Sequence, residues 1–418
     1  MHIHSIQDSD DACDRLQLAR SHHAVRALFF LNGFLFATWA TRIPAIQSCF
    51  SLDDGQLGLS LMAIAMGAVV AMPLAGRYCS KFSSKTISIA GVIAYLVGLP
   101  ALALAPILPA FILALFTFGA AHGALDVAMN VQAVELEHRR RQPIMSAIHA
   151  LWSLGGLAGA IAGGWLAANN ASIATHFAVV SALLGLAVIP ISSRLINGRA
   201  SGKSSSDETS SSTERETVGN DRARGRILAL GIMAFCVMAC EGAMADWSAV
   251  MLHTVLGASE GGAAMGYAAF AIAMAGGRFV GDSFTQRLGA RKQVRISGSL
   301  AVTGIVLIVT SAQYLTAIVG FVCVGAGLST IVPVVFSTCG QLKGVSPGTA
   351  LATVSTIGYF GFLLGPPLIG FVAEVSELRI ALSTLLLTSL TTVILASHLK
   401  RKSPRLDAKQ CHPEHSDT

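Results

Sequence analysis

The sequence predicts an all-α membrane protein in which twelve transmembrane helices form two pseudo-symmetric six-helix bundles. Three observations carry the prediction. The chain is too apolar for water, its basic residues alternate between the gaps separating apolar runs, and a Ser- and Gly-rich stretch divides those runs six and six. Of 418 residues, 53% are hydrophobic and only 12% charged, whereas soluble domains carry about 25% charged residues.

A helix needs about 20 apolar residues to cross a bilayer. Runs of that order are read at 25–48, 56–75, 86–105, 108–134, 144–168, 175–193, 227–251, 260–280, 294–312, 315–338, 347–372 and 379–398. They are too long for barrel strands and lack a period of two, and only helices or closed barrels satisfy their backbone in lipid.

Of the 29 Lys and Arg residues, 27 fall in every second gap between these runs; Arg42 and Arg379 are the exceptions. Cytoplasmic loops retain basic residues, so the chain is read as a polytopic membrane protein with both termini in the cytoplasm. The net charge of +6 is accounted for by topology and attraction to anionic headgroups; nucleic acid is not an expected partner. Residues 1–23 hold Asp8, Asp10, Asp11 and Asp14 and no apolar run, which is not a signal peptide, so the first helix serves as an uncleaved signal. The eight cysteines have no paired spacing, and no metal or cofactor is expected.

The resulting plan is a cytoplasmic tail (1–24), a six-helix half (25–193), a disordered cytoplasmic linker (194–226), a second six-helix half (227–398) and a C-terminal cytoplasmic tail (399–418). The linker reading rests on Ser, Gly and charge without apolar periodicity. The halves resemble each other where charge is densest. After the second helix stands Gly76-Arg77-Tyr78-Cys79-Ser80-Lys81, and after the eighth stands Gly277-Arg278-Phe279-Val280-Gly281-Asp282, followed by Arg287-Leu288-Gly289-Ala290-Arg291. Corresponding features in two six-helix halves point to a parallel duplication.

These features resemble the major facilitator superfamily of secondary transporters, whose loop signature is roughly G-x-x-x-D-R-x-G-R-R. The C-terminal copy keeps Asp282, Arg287, Gly289 and Arg291 with a longer spacer; the N-terminal copy has Ser80 where Asp is expected and Ser83 where Gly is expected. Thr38-Trp39-Ala40-Thr41-Arg42-Ile43-Pro44, Gly123 to Asn130, Ser146 to Gly155 and Glu241 to Trp247 are similar to a branch of that family that includes the rhizopine-associated membrane protein MosC. The resemblance implies a gating loop of Arg77, Lys81, Arg278, Asp282, Arg287 and Arg291. It also implies that Asp282 docks on the start of the fifth helix, near Pro143, and that Ser80 meets the eleventh helix at Ser346-Pro347 as a weaker, neutral counterpart.

Ionisable groups inside membrane helices are costly and therefore functional candidates. His122, Asp126 and Asn130 recur every four residues in the fourth helix and form one polar stripe. Two roles are open to it: recognition of a substrate hydroxyl or amine with Asp126 as a proton site, or helix–helix bonding to His149 of the fifth helix. Glu241 falls near mid-membrane in the seventh helix, with Asp246 and Trp247 beyond it. Asp126 and Glu241 are the proton-coupling candidates. Arg42, with Asn32 and Trp39 on adjoining faces, either contacts an anionic or polyhydroxyl solute or reaches the outer headgroups. Trp152 and Tyr359 complete the cavity candidates, as stacking platforms or as packing. Gly155, Gly159 and Gly163 are spaced for close helix approach.

The function expected is secondary active transport of a small polar organic solute, coupled to protons and working by alternating access as a monomer. The rivals are a proton-driven efflux antiporter for amphipathic compounds and a non-transporting membrane sensor. No nucleophile-base pair, P-loop or metal cluster is read, so an enzyme is not expected.

Overall fold

The structure, a computed structural model, describes residues 2–52, 54–197 and 213–399. Every regular element among them is helical, and the fifteen α-helical segments make the twelve crossings that the apolar runs predict. The N-terminal half consists of the first helix (His2–Ala40, continued by Ile43–Phe50), the second (Asp54–Lys81), the third (Ser84–Leu104), the fourth (Leu108–Arg140), the fifth (Met145–Ala168) and the sixth (Ile173–Arg194). The C-terminal half repeats the plan. Its helices are the seventh (Thr213–Val250, ending in the π turn Met251–Val255), the eighth (Glu260–Leu288), the ninth (Ala290–Thr310), the tenth (Tyr314–Leu328 and Ile331–Gly340), the eleventh (Pro347–Val375) and the twelfth (Leu378–Ser383 and Leu385–Leu395).

Local chemistry sets several of these boundaries. Ser83, Ser172 and Ser346 precede the third, sixth and eleventh helices, and their hydroxyls accept from the backbone N–H of Thr86, Thr175 and Thr349 at 3.1, 3.0 and 3.2 Å. Serine at this position satisfies one of the orphan donors of a helix start. The breaks in the first and tenth helices, at residues 41–42 and 329–330, lie within the four residues before Pro44 and Pro333. Proline supplies no N–H to the carbonyl at i−4 and crowds it, so the helix is interrupted there.

Two boundaries differ from the sequence reading. The first helix starts at His2 rather than 25, inside the expected tail, and the seventh starts at Thr213 rather than 227, inside the expected linker. Polarity excludes those segments from the hydrocarbon but not from helix. Once an apolar helix is nucleated, extension needs no new nucleus, and Glu, Arg and Ala extend it readily. The rest of the linker, 198–212, and residues 400–418 lie outside the described residues. Among the described residues, ten helices are long and apolar enough to cross a membrane on length and composition alone. The first and eighth fall outside that count, the latter with its Gly- and Ala-rich run at 261–277.

The duplication is visible in how helices approach. In the N-terminal half the fifth helix lies on the first: a Cβ added to Gly155 would stand 2.0 Å from the Phe30 carbonyl oxygen, and one added to Gly159 would stand 2.5 Å from that of Phe34. The equivalent pair in the C-terminal half is the eleventh on the seventh, where Gly361 stands in the same relation to the Phe235 carbonyl oxygen at 2.3 Å. The second and fourth helices meet at Gly119 and Ile64, and their equivalents, the eighth and tenth, meet at Gly325 and Phe270. Lipid tails give helices no hydrophobic reason to associate, so close backbone packing at small residues holds each half together.

Ala at Gly155 forces the first and fifth helices apart. Gly155→Ala is expected to lower thermal stability in detergent by about 1–3 kcal/mol, whereas Gly164→Ala, with nothing within 4 Å of the added Cβ, leaves the melting temperature unchanged or slightly higher.

Candidate functional site

The four-residue spacing in the fourth helix produces the polar stripe that the sequence predicts, and the stripe reaches both halves. His122 is 6% exposed and Asn32, on the first helix, is fully buried. His122 Nδ1 lies 3.1 Å from Asn32 Oδ1, and Nε2 lies 3.0 Å from the Tyr359 hydroxyl on the eleventh helix. The Asn32 amide nitrogen points to Met129 Sδ at 3.5 Å, which leaves Oδ1 as the acceptor. His122 therefore donates from Nδ1 and, as a neutral ring, accepts the Tyr359 O–H at Nε2. Tyr95 and Phe36 close around the imidazole, with ring centroids 5.3 and 5.7 Å away.

Two turns beyond His122, Asn130 is fully buried and its amide is used at both ends. Its nitrogen donates to the Asp126 backbone carbonyl at 2.8 Å and to the Asp126 carboxylate at 3.3 Å, while its oxygen faces His149 Nε2 at 3.2 Å. His149 thus binds the fourth helix through Asn130 rather than through the carboxylate. Asn130 and His149 bond helix to helix, and Asp126 is half-buried. Among the described residues Asp126 takes part in no ion pair.

Glu241 has a cation beside it. Its carboxylate lies 3.7 Å from Arg278 Nη2, and Arg278 Nη1 donates to the Ser153 hydroxyl of the fifth helix at 2.7 Å. The placement of Arg278 in the gating loop is corrected here. The eighth helix continues ten residues past Arg278 to Leu288, which sets this guanidinium about 15 Å inside the helix end, and the residue is only 8% exposed. Gly277-Arg278-Phe279 belongs to the helix because nothing between it and Gly289 stops one. Its sequence counterpart Arg77 stands four residues from the end of its helix and is exposed.

Other candidates separate. Trp39 is 1% exposed and packed between Phe111 and Phe118, with centroids at 6.1 Å from each, so it belongs to the core and not to a cavity wall. Trp152 is half-buried beside Phe36 at 6.4 Å, Trp247 packs on Gly370, and Asp246 is exposed. Lys81 is exposed over the Phe82 ring at 5.4 Å, and Arg291 is half-buried. Arg42 turns from the stripe toward the sixth helix, where its Nε donates to His176 Nδ1 at 2.9 Å. Arg379 donates to the Val309 carbonyl that ends the ninth helix, at 2.7 Å.

The start of the fifth helix is where the halves are fastened. The Ser146 and Ala147 N–H groups donate to the two Asp282 carboxylate oxygens at 3.0 and 2.8 Å. The preceding pair, Ile144 and Met145, donate to Glu137 Oε2 at 3.0 and 3.2 Å. Glu137 in turn accepts from Ser337 and from Gln341 on the C-terminal half. Pro143 lies just outside the helix, whose first residue is Met145. Glu137 is not among the residues that the sequence singles out; it stands eight residues before Met145, and the partial positive charge of the helix start favours an acid there. The counterpart fastening is neutral: the Ser80 and Ser346 hydroxyls meet at 2.8 Å, and Gly76 packs against the Gly348 backbone. The hydrogen bonds found between halves among the described residues lie at mid-depth or on the face that carries both termini.

Two six-helix halves, polar groups converging from both at mid-depth and fastenings on one face define a membrane transporter. The family profile described as Major Facilitator Superfamily matches residues 27–347, and the chain belongs to that superfamily. It is 35% identical over 378 residues to the uncharacterized transporter y4wD of Sinorhizobium fredii, covering 90% of this chain and 97% of that one. An uncharacterized MFS-type transporter of Yersinia pestis is 36% identical, covering 90% and 95%. The membrane protein MosC of Rhizobium meliloti is 34% identical, covering 86% and 85%. Among solved structures, the transporter FucP in its outward conformation superposes with a TM-score of 0.74 at 19% identity, over 91% of this chain and 98% of that one. The human organic anion transporter MFSD10 gives 0.70 at 14%, over 91% and 99%.

The unequal fastenings carry a testable difference. Cys339 and Cys79 are buried, at 1% and 0% exposure, close to the carboxylate and serine fastenings respectively. In proteins retaining either one as the single cysteine, Asp282→Asn or Glu137→Gln is expected to raise the rate of maleimide labelling several-fold, and Ser80→Ala to leave it nearly unchanged. Equal effects would refute the asymmetry.

Proposed function

We propose that this transporter carries a small polar organic solute across the inner membrane of a bacterium, driven by the proton gradient and working by alternating access between its two halves. The observation that carries the reading is Asp126: a half-buried carboxylate at mid-depth with no ion-pair partner among the described residues, beside the hydrogen-bonded group of Asn32, His122 and Tyr359 that spans both halves. An acid without a permanent counter-charge is free to take up and release a proton as the site opens to either side. Glu241 has Arg278 for company and joins the coupling when that pair separates. The polar lining of Asn, His and Tyr suits hydroxyl and amine groups, and FucP, titled a fucose:proton symporter, has the same fold.

The basic-residue bias orients the protein with both termini, and hence the closed face, in the cytoplasm. The glycines of the fifth helix need no efflux reading, since Gly155, Gly159 and Gly163 pack against the first helix. The buried apolar core runs through both halves of one chain, and the protein acts as a monomer.

The test begins with a thermal-shift screen of purified protein over sugars, cyclitols, amino acids and organic cations, followed by flux of any stabilising solute in proteoliposomes. Wild-type uptake is expected to rise with an imposed proton gradient, and Asp126→Asn to retain counterflow while losing that response. An unchanged response in Asp126→Asn would remove the coupling role, and a bound solute with no wild-type counterflow would make the protein a sensor.

A further inference from the structure

Arg42 and His176 form a buried pair that the transport reading does not use. Arg42 is 6% exposed and His176 only 1%. Their one mutual hydrogen bond runs from Arg42 Nε to His176 Nδ1 at 2.9 Å. Since an arginine N–H can only donate, Nδ1 accepts, and the hydrogen of the neutral imidazole sits on Nε2. Arg42 Nη2 and His176 Nε2 are both buried and without a hydrogen-bond partner. Both are donors, so the deficit is all of one kind: the place lacks acceptors. It also lacks negative charge, for no ion pair to Arg42 is found among the described residues. A buried guanidinium without a counter-charge is costly, and a group that supplies both charge and acceptors relieves it.

The location narrows the ligand. Arg42 stands at the break between Ala40 and Ile43, and His176 lies in the first turn of the sixth helix, on the face away from the termini. His176 is about one turn inside the start of the sixth helix, the depth of the headgroup layer, and Arg42 meets it there from eight residues before Phe50. Arg42 follows Asn32 by ten residues, about 15 Å along the helix, so this place is separate from the His122 and Asp126 group. The first-turn position adds the partial positive charge of the sixth helix start. The Nε and Nη2 groups lie on one edge of the guanidinium, the edge that pairs with two oxygens of an oxyanion; here one prong holds His176 and the other is open.

We infer that Arg42 and His176 form a binding site for an oxyanion, a phosphate or carboxylate group, at the membrane interface opposite the termini. The group is presented either by an anionic lipid or by a soluble anion, and the site is independent of which solute the protein carries.

Thermal shift on the full-length protein in a nonionic detergent tests the inference with four probes: phosphatidylglycerol, diacylglycerol of the same chains, inorganic phosphate and acetate. Stabilisation by phosphatidylglycerol but not by diacylglycerol identifies a lipid phosphate; saturable stabilisation by phosphate or acetate identifies a soluble anion. In either case the shift is expected to disappear in Arg42→Gln, whose amide still reaches His176 as a donor, and to persist in part in Arg42→Lys. Stabilisation of the same size in wild type and Arg42→Gln would overturn the inference, as would no shift in wild type with any probe. Should Arg42→Gln fail to fold, His176→Phe takes its place, with a weakened shift expected and an undiminished one counting against the site.

Discussion

The start of the fifth helix holds the arrangement together. A helix begins with four N–H groups that its own turns cannot satisfy, and here two carboxylates take all four, Glu137 the first pair and Asp282 the second. Asp282 belongs to the opposite half, and Glu137 belongs to the same half but is itself held by Ser337 and Gln341 across the divide. Neither half therefore satisfies this helix start alone, and the partial positive charge of the helix draws both acids to it. The face is joined by these hydrogen bonds together with apolar packing, in which Gly340 of the tenth helix lies against Val134 of the fourth.

What surrounds this fastening is comparatively rigid. Within each half the helices meet backbone to backbone at glycines, at equivalent positions in the two repeats: fifth on first as eleventh on seventh, second on fourth as eighth on tenth. Contacts of that kind have no slack, since adding one carbon already intrudes on a carbonyl oxygen. Between the halves, side-chain hydroxyls, carboxylates, a guanidinium and one imidazole bond across, and Gly76 and Gly348 also meet backbone to backbone beside the serine fastening. The two seams are also related by the duplication, the second helix against the eleventh matching the eighth against the fifth. Replacement of an acid by Ser80 leaves one of them neutral.

Much of this was legible in the chain because lipid imposes simple rules. Apolar runs had to become helices, His122, Asp126 and Asn130 at four-residue spacing had to share a face, and a resemblance in the loop pointed Asp282 to the fifth helix. The failures have physical causes as well. Arg278 was assigned to a loop because a charge beside glycines reads as a helix end, yet a carboxylate and a serine inside the bundle supply what a buried guanidinium requires. The polar starts of the first and seventh helices were read as tail and linker because polarity forbids hydrocarbon, which is not the same as forbidding helix. The partners of Arg42 and His149 depended on how six helices rotate about their axes, which a hydropathy profile does not record.

The bond between His122 and Tyr359 has one more implication. It joins the halves at mid-depth, and the imidazole enters it as the acceptor, with the other ring nitrogen committed to Asn32 within its own half. Any rocking that draws the eleventh helix away leaves the ring in place and strips a lone pair of its donor. A hydroxyl on an arriving solute offers the same donor in the same direction. In the transport we propose, the phenol of Tyr359 would hold the place that a solute hydroxyl takes.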